Sequence, residues 1–132
     1  MRSKLYVLMA LFGAPLTFAR GALTVDLEVV HPVFEKIRKI SVAIEYEKGD
    51  SVLLYEGNGL RVRTVLLSET DTAAVTEYMI DVKNVHDEYE RLFAPVLIVD
   101  YDHEALVEIG KGSTPTGPAQ SLKITANAEK IS

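Results

Sequence analysis

From residue 23 onward the chain alternates apolar and polar side chains with a period of two. Leu23, Val25, Leu27 and Val29 share one face of a run whose other face is Thr24, Asp26 and Glu28. The same pattern recurs as Ile40, Val42, Ile44 and Tyr46, as Leu60, Val62, Thr64 and Leu66, as Ala105, Val107 and Ile109, and as Leu122, Ile124, Ala126 and Ala128. One apolar and one polar face per run predicts antiparallel strands wetted on one side. The breaks have turn chemistry. Lys48-Gly49-Asp50 predicts a hairpin between Ile40–Glu47 and Ser51–Glu56, and Gly57-Asn58-Gly59 predicts the next. Asp100-Tyr101-Asp102-His103 reads as a tight connection from Val96–Val99 to Glu104–Ile109. Strands at this spacing predict an all-β fold, a small β-sandwich or a partly open barrel.

Two segments fit less simply. His31 to Lys39 accommodates one or two helical turns, with Pro32 at the first position and Phe34 and Ile37 inward. Asp71 to Asn84 fits a strand with Thr76, Tyr78, Ile80 and Val82 on one face. It also fits a helix capped by Thr70 or Asp71, with Ala74, Val75, Tyr78, Met79 and Val82 together. The β-branched and aromatic types on the first of these faces favour the strand. Residues 110–121 hold no core side chain and predict a mobile loop before the last strand. The terminal strands, Leu23–Val29 and Leu122–Ala128, are expected at sheet edges, where a partner strand could add.

Before the alternation begins, Arg2 and Lys4 precede an uncharged run from Leu5 to Ala19, with Thr17 and Ala19 at the −3 and −1 positions of a cleavage site. The run is shorter than the ~20 residues that span a bilayer. It predicts a secretory signal peptide over 1–19, one β-rich domain over 20–132, a periplasmic or secreted location and no stable membrane anchor after cleavage. Residues 20–132 then carry 12 cations against 19 anions, a net charge of −7 where the full 132-residue chain has −5. An acidic chain lacks the basic field that nucleic acid or an anionic membrane requires. Absence of cysteine removes disulfides, thiolate metal sites and cysteine nucleophiles.

Candidate chemistry is sparse. Asp100, Asp102 and Glu104 offer oxygen ligands to Ca²⁺ and His103 a nitrogen to a transition metal, yet no EF-hand glycine follows. A solvated turn is the favoured reading of that cluster. His86-Asp87-Glu88, with Glu90 and Arg91, is a second histidine–carboxylate group, favoured as an exposed charged connection. His31 before Pro32 reads as a turn residue. Arg61 and Arg63 share a strand face on which Lys83 or Lys123 could join them, suited to an acidic partner or to cross-strand pairing with glutamate. Tyr46, Tyr55, Tyr78, Tyr89 and Tyr101 belong to the core, its margin or a binding face. No nucleophile elbow or phosphate-binding loop is present.

Phe93-Ala94-Pro95-Val96-Leu97-Ile98-Val99, then Glu104-Ala105-Leu106-Val107-Glu108-Ile109-Gly110, resembles the β-hairpin signature of the bacterial secretin family. That signature has Ala or Ser and Pro entering a strand, then Ala-x-x-x-x-Gly on the return. Leu122-Lys123-Ile124 occupies the place of the family's later alternating segment. The similarity covers about 36 residues, 93–128, with Asp100-Tyr101-Asp102 in place of the usual turn residues. It implies a β-hairpin of the Gram-negative envelope and no pore. The expected function is therefore an exported binding or assembly module of the bacterial envelope, without cofactor or catalysis, whose partner is another envelope protein. Arg61, Arg63, Asp100, Tyr101, Asp102 and His103 are the candidate interaction residues. The alternatives are a periplasmic hydrolase or metal-assisted enzyme using His86 or His103 with neighbouring carboxylates, and a carrier enclosing an apolar cavity.

Overall fold

A computed structural model describes residues 20–47, 49–112 and 119–130. The segment read as a signal peptide, Lys48 and the middle of the expected loop, 113–118, lie outside them. Nine strands follow in order: β1 (Arg20–Val30), β2 (Arg38–Glu47), β3 (Ser51–Gly57), β4 (Leu60–Glu69), β5 (Ala73–Lys83), β6 (Tyr89–Phe93), β7 (Val96–Asp100), β8 (Ala105–Lys111) and β9 (Gln120–Lys130). They form two antiparallel sheets. The first runs β2-β1-β9-β8; the second runs β3-β4-β5-β6, with β7 also on β5. The architecture is a β-sandwich with no closed barrel.

β6 and β7 are two halves of one interrupted edge strand. β6 pairs with the Ile80–Lys83 end of β5 and β7 with the Ala73–Glu77 end. Between them Pro95, which has no N–H to give, accepts from the Tyr78 amide at 2.9 Å. With these halves joined, consecutive strands run up and down throughout, and β9 pairs back onto β1. Seams remain where the chain passes from β2 to β3 and from β7 to β8. Each is tied by a cation. Arg38 of β2 donates to Tyr55 Oη (2.7 Å) and to the Asn58 carbonyl (3.1 Å) of the second sheet, and its guanidinium lies 4.9 Å from the Phe34 ring. Lys111 of β8 donates to the Leu92 carbonyl at 2.8 Å over the Phe93 ring.

The strand faces follow the alternation. Leu23, Val25, Leu27, Val29, Leu60, Val62, Leu66, Leu122, Ile124 and Ala126 are buried in one core drawn from both sheets. The 71–84 segment is strand, with Thr76, Tyr78, Ile80 and Val82 turned inward. The Gly57-Asn58-Gly59 hairpin is present, with φ of 51° at Asn58 and 82° at Gly59. These are left-handed values that asparagine tolerates and glycine adopts freely.

Five expectations are corrected. Lys48-Gly49-Asp50 closes no hairpin, because β2 and β3 belong to different sheets. The Asp100–His103 connection likewise carries the chain from β7, on β5, across to β8, on β9, so the strands of the secretin-like stretch are not hairpin partners. No helix forms at 31–37; Phe34 packs on the core margin, but Ile37 points to solvent. The terminal strands are interior: β1 lies between β2 and β9, and β9 between β1 and β8. The expected loop is also shorter, since Gly110 pairs with Ser121 and Lys111 with Gln120.

Candidate functional site

The two outer faces differ in how they handle charge. On the first sheet, Lys39, Glu28, Lys123 and Glu108 lie side by side across β2, β1, β9 and β8, so each charge has an opposite neighbour. In the adjacent row the Ser41 hydroxyl donates to Asp26. The Lys39–Glu108 row is compensated and solvated, whereas Glu45 and Glu129 flank Ala22 in another, so the face as a whole is acidic.

The second sheet is arranged otherwise. Asp81 stands directly opposite Arg61 on β4 and Arg91 on β6, with Arg63 one row away. Its carboxylate accepts from Arg61 Nε (3.3 Å) and Nη2 (3.1 Å), from Arg63 Nη2 (3.2 Å) and from Arg91 Nε (2.5 Å). Although Asp81 occupies an outward position, it is only 2% exposed, covered by the arginines it holds. Desolvation pushes its carboxyl up, but the hydrogen bonds and charges of Arg91 and Arg61 outweigh that and keep it below its ordinary range. Each guanidinium has five donors, so four bonds to Asp81 leave most of them for a ligand. Arg63 Nε is buried with no hydrogen-bond partner among the described residues. Arg61 also lies 4.2 Å from the centre of the Tyr89 ring, which fixes its plane. Lys83 reaches the same ring at 5.4 Å and Asp87 at 3.2 Å.

Away from this cluster the face turns apolar. Register places Val65, Glu77 and Val96 in one row and Val75 beside Ile98 in the next. Met79 stands beside Arg63, which is flanked on its other side by Leu53. Ile98 is 69% exposed and Val96, Leu53 and Leu67 are exposed as well. The cations Arg61, Arg63, Arg91 and Lys83 gather at one end of this face around Asp81, with Glu56 beside Arg61 and Asp87 beside Lys83, while Glu77 and Asp100 lie towards the other end. The face offers fixed donors for carboxylates next to an apolar strip.

The residues singled out from sequence divide between opposite ends of the molecule. Arg61 and Arg63 belong to this face, and Lys83 joins them. Lys123 does not, being on the outer face of the other sheet. The cross-strand partner is an aspartate rather than a glutamate. Asp100, Asp102 and His103 lie exposed at the crossing from β7 to β8, at the far end of β5. There the His103 amide donates to the Asp100 carbonyl and Asp102 takes a φ of 70°. Among the described residues no three histidine or acidic side chains gather to hold a metal. Tyr101 packs on the core margin and donates to Glu69 at 3.2 Å, its own hydroxyl pushed up to about 12 by burial and by that carboxylate. His86 lies near the opposite end, its amide donating to Asn84 Oδ1 at 2.8 Å. His31 is a turn residue, its Nδ1 accepting from the Val33 amide. Of the tyrosines among the described residues, Tyr46 and Tyr78 are core, Tyr55 and Tyr101 core margin, and only Tyr89 belongs to the charged face.

Sequence reasoning missed Asp81, and it grouped Arg91 with His86 rather than with Arg61. The signal was the hairpin register: a strand at 73–83 following one at 60–69 sets Asp81 opposite Arg61. Compared with models of protein families, with curated proteins and with solved structures, the chain matches none.

Proposed function

We propose that the chain is a non-catalytic binding module of the bacterial cell envelope that docks an acidic, partly apolar segment of another envelope protein on the outer face of its second sheet. The observation that carries this reading is the contrast between the faces. One is acidic; the other holds three arginines in place around one buried carboxylate and continues into exposed Val96 and Ile98. A second copy of the chain is a poorer occupant. Its first sheet offers carboxylates but little apolar surface, and its second sheet would set arginine against arginine. Placement in the envelope rests on the leader-like sequence at residues 1–19. The alternative, a hydrolase or metal-assisted enzyme using His86 or His103 with neighbouring carboxylates, has less support, since among the described residues no three histidine or acidic side chains gather at either histidine.

An extended peptide alternating glutamate and leucine, titrated into the ¹⁵N-labelled full chain, is expected to shift amides along β4, β5, β6 and β7. Affinity should fall with added salt and drop about tenfold or more in an Arg61→Glu/Arg63→Glu variant. Shifts confined to the first sheet, an unchanged affinity in the variant, or dimerisation through this face would contradict the proposal.

A further inference from the structure

Where β6 and β8 approach the end of the sandwich that bears the 31–37 and 84–88 connections, the seam opens into a cleft of about 890 Å³. That is the size of a small-molecule site. Val82 and Leu92 are its apolar walls, and Pro32 and Val33 face them from the β1–β2 connection. Three cations line it: Lys83 and Arg91 are paired with Asp87 and Asp81 but keep further donors, and Lys111 has no carboxylate partner among the described residues; the lining carboxylate, Glu90, already accepts from Asn84 Nδ2 at 3.0 Å. Lys111 spends one donor on the Leu92 carbonyl and keeps two.

The imidazoles add donors rather than carboxylate character. His31 accepts the Val33 amide on Nδ1 and is held below its ordinary pKa by burial, so in neutral solution its proton sits on Nε2. His86 lines the cleft from the 84–88 connection, which Asn84 Oδ1 shapes by accepting the amides of both His86 and Glu88. At the rim stand two valines with no packing role, Val33 at 57% and Val85 at 95% exposure. Nothing in the core needs them there. Cations beside bare aliphatic surface in one concavity are complementary to a molecule that is anionic at one end and apolar at the other.

We propose that this cleft binds a small amphiphilic anion, a carboxylate or phosphate monoester on a short hydrocarbon chain, with the oxyanion at Lys111 and Arg91 and the chain against Val33, Val85 and Leu92. It lies beside the docking face and shares Lys83 and Arg91 with it. Calorimetric titration of the full chain with octanoate, octyl phosphate and octanol tests it. One equivalent of either anion should bind at least tenfold more tightly than octanol. The tighter of the two tells a fatty acid from a phosphate ester. Lys111→Gln, which keeps a donor for Leu92, and Val85→Asp, at a site too exposed to disturb folding, should each weaken anion binding about tenfold. Ile98→Asp, on the β7 part of the docking face and outside the cleft, should leave it unchanged, which separates this site from the docking face. Equal binding of octanol and the anions, or unaltered affinity in both cleft variants, would overturn the proposal.

Discussion

Replacing Asp81 by Asn is expected to destabilise the protein by about 2–3 kcal/mol at neutral pH. Breaking a buried ion pair from one side costs roughly 3–5 kcal/mol when the remaining charge stays buried. Here the remaining charges are three partly exposed guanidiniums that can turn to water, so the loss falls at or below the lower end of that range. Asn keeps the size of Asp but accepts with one oxygen, and three like charges then share a surface with no central anion. The pH dependence has a definite sign. The folded carboxyl titrates below its ordinary value of 3.8, so its contribution is fully present above about pH 5 and is lost as the pH falls through the folded value. Urea unfolding at pH 7 should therefore separate Asp81→Asn from the parent, and the two should converge in strong acid. A variant as stable as the parent at pH 7 would show that the arginines do not depend on Asp81.

Tyr78→Ala is expected to cost more, about 3–5 kcal/mol, the range for emptying an aromatic site in a packed core. Tyr78 is 0% exposed and heads the fully buried side chains by volume. It projects inward from β5, the strand that pairs with β4, β6 and β7, so neither neighbour can collapse into the space without distorting a ladder. Its hydroxyl receives Thr76 Oγ1 at 3.0 Å, and burial pushes it up to about 12 despite that bond. Tyr78→Phe, which keeps the ring and strands the Thr76 hydroxyl, should cost only about 1 kcal/mol. A domain stable by ~5–15 kcal/mol tolerates the second change and is brought near unfolding by the first. Thermal melts of the two variants that coincided would contradict this ordering.

These two residues mark what was and was not legible in the chain. Tyr78 was legible as a core residue because Thr76, Tyr78, Ile80 and Val82 alternate, and alternation is a local consequence of the pleat. Asp81 was not. An outward aspartate between Met79 and Lys83 looks like any solvated strand position until register brings Arg61 and Arg91 beside it. The partition into sheets was hidden for a related reason. Turn chemistry at Gly49-Asp50 or Asp100–His103 reports that the chain reverses, and it is the same whether the next strand pairs with the last or crosses to the opposite layer. Terminal position alone suggests an edge for β1 and β9, whereas their mutual pairing depends on contacts about a hundred residues apart in sequence. At the site, Arg61 and Arg63 were visible as a pair. Their partners required the tertiary fold, and Asp100, Asp102 and His103, adjacent in sequence, belong to the other end of it.

The central claim, that the outer face of the second sheet is where this protein meets its partner, is tested most directly by photo-crosslinking in the cell that produces it. A photoreactive phenylalanine analogue at Ile98, exposed beside Val75, should give a discrete adduct that disappears when Arg61 and Arg63 are both changed to Glu. The same analogue at Ala43, on the exposed face of the first sheet, should give none. An adduct formed from Ala43 and not from Ile98, or one from Ile98 indifferent to the arginines, would contradict the account.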